Sequence, residues 1–224
     1  MSHAIEQVAT GRQRRRGGLK RLASLKGGLA AGTAAMLCLL LTACAGNSAV
    51  LSDIRYDFGP APAASASGAL PAVKVLDVGA PSTIDTDRLL YRLSYADAQR
   101  TGAYADTHWT MSPARLLTQR LRNALSSHGT VLTGGDGVRA PVLKVELEQF
   151  EQVFDSQTES SGVVTARATL FQAGKVLSQH TFIARAPASS PDASGGARAL
   201  AAASDDLVAQ IGAWLGVQAL LANQ

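Results

Sequence analysis

Apolar and polar residues change period several times along this chain, and each change marks an element. From residue 51 to 58, Ile54, Tyr56 and Phe58 alternate with Asp53, Arg55 and Asp57, the two-residue period of a half-buried strand. Residues 60–71 are rich in Pro, Ala, Ser and Gly and read as a loop. Val73 to Val78 forms a second strand and Leu89 to Tyr95 a third. After a polar turn, Tyr104 to Trp109 is its expected hairpin partner. The period then lengthens. Ser112-Pro113 opens a helix, with Ser112 as the N-cap and Pro113 where a missing N–H costs nothing. Leu116, Leu117, Leu121, Ala124 and Leu125 form one apolar stripe, with Arg115, Gln119, Arg120 and Arg122 mostly off it. Gly129 suits a left-handed C-terminal cap.

Alternation returns after a short strand at Thr130–Thr133 and the turn-forming Gly134-Gly135-Asp136-Gly137. Leu143, Val145 and Leu147 face one way and Lys144, Glu146 and Glu148 the other, with Phe150 and Phe154 extending the polar row. Val163 to Phe171 and Val176 to Ala184 follow, joined by the hairpin turn Gln172-Ala173-Gly174-Lys175. These strands predict an antiparallel meander with one face wet. Residues 187–196 read as a loop, and a last helix is expected over 197–220, burying Leu200, Leu207, Val208, Ile211, Trp214, Leu215 and Val217 or Gln218. The expected fold is α+β: a two-layer domain over residues 51–222, with a mostly antiparallel sheet and two amphipathic helices packed on one face. The pattern does not give the strand order.

The first 43 residues have a different character. Arg12, Arg14, Arg15, Arg16, Lys20, Arg21 and Lys26 precede an apolar run from about Leu29 to Leu41, which closes on Leu41-Thr42-Ala43-Cys44. This is the organisation of a secretory leader ending in a lipobox. The expected product begins at Cys44, which carries a thioether-linked diacylglycerol and an N-acyl chain, and residues 44–50 form a flexible tether. Two or three acyl chains hold a protein on a bilayer, at about 0.8 kcal/mol per buried methylene. The competing reading is a retained transmembrane helix. The run contains Gly27, Gly28, Gly32, Gly46 and Asn47, and no basic stop-transfer cluster follows it, so the lipobox is favoured. Arg15-Arg16 only partly resembles a twin-arginine signal, so general secretion is the expected route.

Removal of the leader changes the charge argument. The whole chain has a net charge of +4 and a pI near 9.3. Residues 1–43 hold seven of the 21 Lys and Arg and one of the 17 Asp and Glu, leaving 14 and 16 and a net charge of −2. The basic character belongs to the leader, which removes support for nucleic-acid binding. Cys38 leaves with it and Cys44 is acylated, so no thiol remains for a disulfide or a metal. The glycines at 134–137 lack the Lys-Ser/Thr of a phosphate loop, and no Gly-x-Ser-x-Gly elbow occurs. His108, His128 and His180 are scattered, and a zinc site needs three or four convergent ligands. Glu146 and Glu148 read as a solvent-facing row rather than a catalytic pair, and Asp205 and Asp206 as exposed helix residues. No enzyme, metal or cofactor is expected.

Beyond the lipobox, the chain runs Leu89-Leu90-Tyr91-Arg92, Tyr104, Trp109, Pro113, Leu116-Leu117 with Leu121 and Leu125, then Leu143-x-Val145-x-Leu147-x-x-Phe150 and an Ala-rich helix ending in Trp214-Leu215. This order resembles the ABC-type transport auxiliary lipoproteins, the PqiC-like family, over essentially all of the mature chain. Where that family's early strand has a Tyr-aromatic-x-Leu pattern, this chain has Tyr56-Asp57-Phe58-Gly59. The resemblance implies a lipoprotein on the periplasmic face of a Gram-negative envelope. Its implied partners are an ABC permease and ATPase and an Mce-domain protein, in a system moving lipid between membranes. Ala45 in place of an inner-membrane-retaining Asp favours the outer membrane. Self-association is left open. Exposed aromatics anchor interfaces, so Tyr91, Tyr104, Trp109, Phe150 and Phe154 are candidate partner contacts, with Trp109 and Phe154 expected to flank the Mce-binding surface. Two other readings stand beside this one. The first is a carrier domain enclosing a hydrophobic ligand; the second is an envelope lipoprotein with no transport partner.

Overall fold

A computed structural model describes residues 53–62 and 69–222. The leader, Cys44 and the tether lie outside the described residues. The described strands are β1 (Ile54–Tyr56), β2 (Val73–Val75), β3 (Arg88–Leu93), β4 (Thr101–Trp109), β5 (Val131–Leu132), β6 (Val142–Phe154), β7 (Ser160–Gln172) and β8 (Lys175–Pro187). Helix α1 (Pro113–Ser126) lies between β4 and β5, and helix α2 (Ala193–Ala222) follows β8.

β6 is the axis of the sheet. Along one edge it pairs over its whole length with β7, and β7 pairs with β8, both antiparallel. Its other edge is shared by two shorter parallel neighbours: β2 against Val142 and Leu143, and β3 against Gln152 to Phe154. Between them a single bridge joins Gly79 to Glu146. β4 pairs antiparallel with β3, while β1 on β4 and β5 on β2 are parallel additions of two or three residues. The sheet is therefore mixed. Its long ladders are the expected antiparallel meander, and its short pairings are mostly parallel. The turn at 172–175 closes as predicted, with Ala173 at φ 48° and Gly174 at φ 79°. Both central residues take the positive φ of a turn whose twist matches the strands.

The wet row of β6 does not run on into Phe150 and Phe154. A β-bulge between Leu147 and Gln149 inserts one extra residue. One residue shifts the side-chain alternation by one face. Phe150 and Phe154 therefore join Leu143, Val145 and Leu147 in being buried, while Lys144 and Glu148 stay exposed.

Both helices cover this apolar face. Leu117, Leu121 and Leu125 of α1 and Leu200, Leu207 and Ile211 of α2 pack into one cluster with Leu143, Val145, Leu147, Val164 and Ala166. Of the two positions expected to close the α2 stripe, Val217 is exposed. The Ser112 side chain does not cap α1; its carbonyl accepts from Arg115 and Leu116 instead. Gly129 is not left-handed either. Its freedom serves close approach: a Cβ there would lie 2.3 Å from the Leu70 carbonyl oxygen. α2 starts four residues earlier than its apolar pattern suggests. The cap is Asp192, whose carboxylate accepts from the Gly195 N–H at 2.7 Å. At Gly162 of β7 an added Cβ would sit 2.4 Å from Leu200 N, and at Gly196 2.0 Å from Gln152 Oε1. These two bare positions let α2 press against the sheet at backbone distance.

Candidate docking surface

The five aromatics singled out from the sequence fall into two groups. Trp109 and Phe150 lie in the core with Phe58; the Phe58–Trp109 ring centroids are 5.7 Å apart and Trp109–Phe150 5.5 Å, both edge-on. Trp109 is 0% exposed and Phe150 2%. The second group is Tyr91, Tyr104 and Phe154. The tyrosine rings stand 5.0 Å apart, and Phe154 meets Tyr91 edge-on at 6.2 Å. Phe154 is buried, so Trp109 and Phe154 do not flank a surface: burial among strands and helices has claimed both. Only Tyr91 and Tyr104 keep partial exposure. The Tyr104 hydroxyl donates to Gln152 Oε1 at 2.9 Å, and Gln152 Nε2 donates to Ser160 Oγ at 2.8 Å. Burial, with Asp192 and Tyr91 nearby, pushes the Tyr104 phenol up to about 12.

A partly buried ion pair joins the two helices. Arg120 Nε lies 3.3 Å from Asp205 Oδ1, and Arg120 Nη2 donates to the carbonyl oxygens of Phe58 at 2.6 Å and Gly59 at 2.8 Å. Arg120 is thus not on a solvated face, and Asp205 is not exposed like Asp206. Burial raises the Asp205 carboxyl above its ordinary range, and the Arg120 charge opposes the rise. Next to this pair an open cleft of about 500 Å³ lies between α2 and the Arg55–Gly59 segment, with Arg55, Asp57, Arg198 and Asp205 in its lining.

The outer face of the sheet is tied by polar pairs. Arg167 reaches Glu146 at 3.5 Å and Glu148 at 3.3 Å, Lys144 reaches Glu146 at 2.9 Å, and Arg92 donates to Glu151 at 2.8 Å. Glu146 and Glu148 are therefore ion-paired surface groups. His108 sits between Asp53 and Asp87, and His180 packs edge-on against Phe182. Among the described residues no three His, Cys, Asp or Glu side chains are grouped to hold a metal ion. A small apolar groove of about 130 Å³ opens where the β7–β8 turn meets the C-terminal part of α2, lined by Leu70, Val73, Leu170, Leu177 and Leu215 among others.

The sequence pattern does not single out the outer edge of the sheet. Among the described residues β8 pairs with β7 alone, leaving a strand of 13 residues as a free edge. Ile183 is 65% exposed, Val176 59% and Leu177 44%. The signal was present: Ile183 stands in a row otherwise made of Gln179, Thr181 and Arg185.

No helix among the described residues is long and apolar enough to cross a membrane. No curated protein matches the chain. The solved structure of protein XCC0632 from Xanthomonas campestris has a similar fold, with a TM-score of 0.64 and 19% identity over 76% of this chain and 96% of that one. A second solved structure, described as an uncharacterized protein, matches with a TM-score of 0.59 and 15% identity over 73% of this chain and 98% of that one. At such identities the likeness is one of fold. The model of the ABC-type transport auxiliary lipoprotein component family matches residues 56–212, which contain every strand but part of the first and most of α2, and the chain belongs to that family.

Proposed function

We propose that this chain is a non-catalytic, lipid-anchored accessory protein that docks the Mce-domain partner of an ABC transport system at the periplasmic face of the outer membrane. The carrying observation is the family match over residues 56–212, and the Leu41-Thr42-Ala43-Cys44 sequence, which reads as a lipobox, supports the anchor. On this reading the leader is cut before Cys44, and the acyl chains hold residues 51–222 at the bilayer.

Packing favours docking over carriage of a lipid. Pockets that enclose drug-sized ligands run to about 300–1,000 Å³. The apolar groove is about 130 Å³, and the larger cleft is open and lined by four charged residues. The space between sheet and helices is filled by Leu, Val, Ala and aromatic side chains.

Cys44→Ala tests the anchor and the role together. The variant is expected to leave the membrane fraction and to lose co-purification of the Mce and ABC partners from membranes. A variant that stays membrane-bound and functional overturns the reading.

A further inference from the structure

We propose that the outer edge of β8 receives an extended, acidic segment of a partner protein, one apolar side chain of which enters the groove beside Leu177. The inference rests on the docking reading and characterises its partner.

A free edge strand turns every second backbone N–H and C=O outward and is a template for another strand. Natural edges are blunted by bulges, Pro and charge. β8 has those devices at its ends alone: Lys175, a bulge beside Leu177, Arg185 and Pro187. Between them, residues 178–184 run in unbroken register against β7 with no Pro and no acidic residue. Its centre is left open for pairing, with Ile183 projecting from it.

Charge selects the occupant. β8 carries Lys175, His180 and Arg185 and no carboxylate. Arg185 is bonded to Asp155, while Lys175 has no ion-pair partner among the described residues. A second copy of β8 would bring no carboxylate to meet Lys175, so an acidic strand is the better complement. Specificity in strand addition comes from pockets for alternate side chains. Here Leu177 belongs both to the edge and to the apolar groove with Leu170 and Leu215. The groove is about 130 Å³ and mostly apolar in its lining, which is room for one Leu-sized side chain and little more.

The full lipidated chain in detergent is titrated with a peptide the length of β8 in which Val alternates with Glu and one end carries Leu. Controls are its Lys-for-Glu counterpart and a form with Ser in place of that Leu. Amide hydrogen exchange is the readout. The acidic peptide is expected to slow exchange in residues 178–184 about tenfold or more, the Ser form to bind more weakly, and the Lys peptide to have no effect. Ile183→Glu, at an exposed position, is expected to abolish the protection with an unchanged thermal midpoint. Equal protection by both charges of peptide, or none, overturns the proposal. So does protection that appears on concentrating the chain alone, which assigns the edge to a second copy. If the assembled transport complex forms with exchange in 178–184 unchanged, the edge proposal falls and the docking reading stands. Protection by the acidic peptide, together with failure of the chain to co-purify any transport partner from membranes, leaves the edge standing and removes the docking reading.

Discussion

Arg120 shows how one side chain ties distant parts of the domain. Its guanidinium holds the carbonyls of Phe58 and Gly59 and faces Asp205, so it joins α1, α2 and the segment after β1. Arg120→Ala should destabilise the domain by about 2 kcal/mol in urea unfolding, because it leaves a partly buried carboxylate and the buried Phe58 carbonyl without their partner. Its pH dependence is a sharper test. With Arg120 gone, the Asp205 carboxyl rises further above its unfolded value. A raised folded-state pKa gives stability that is lost as pH rises through it, so the deficit should be smaller in acid than at neutral pH. Tyr104 provides a second titration. Its phenol is raised from 10.0 to about 12, so its contribution is intact below pH 10 and fades between 10 and 12. Phenolate absorbance should show one tyrosine ionising late, and Tyr104→Phe should remove that late step. Asp192→Ala should cost about 1 kcal/mol of thermal or urea stability through loss of the α2 cap.

Among the elements, strands β3, β4, β7 and β8, the first half of β6 and helix α1 were legible because each keeps one period for several residues and ends on Pro, Gly or a polar cluster. The misplaced elements share one cause: contacts between segments override local pattern. Ala193-Ser194-Gly195-Gly196 reads as a loop in isolation and is helical because Asp192 caps it and the bare glycines fit against Ser190 and Gln152. The bulge at Leu147/Gln149 has no local signature at all. It reverses every later side chain of β6, and so it moved Phe150 and Phe154 from the expected docking surface into the core. Deleting Glu148 should put those rings back on the wet face. Such a variant should expose apolar surface, bind hydrophobic dye and lose cooperative unfolding, whereas Glu148→Gln, which keeps the residue count, should unfold close to wild type. The free edge of β8 was hidden for a different reason: exposure of an edge depends on strand order, which periodicity does not encode.

For the whole molecule, the position of β1 has a mechanical consequence. The strand nearest the N-terminal side of the domain pairs parallel with β4 through three residues, Ile54 to Tyr56. Arg55 clasps it from the side, reaching Asp53, Asp87 and the Trp109 carbonyl. Any pull arriving along the chain from residue 53 enters the sheet there. Directly behind β1, Phe58 is wedged between Trp109 and Phe150, and Arg120 grips the next two carbonyls. A short strand backed by that wedge works as a strain relief. Under load the three β1 pairings are expected to give first, and the Phe58 wedge and the Arg120 contacts to take the force next. In single-molecule stretching from the N-terminal side, a small early yield of β1 should precede global rupture. Phe58→Ala should merge the two events at lower force.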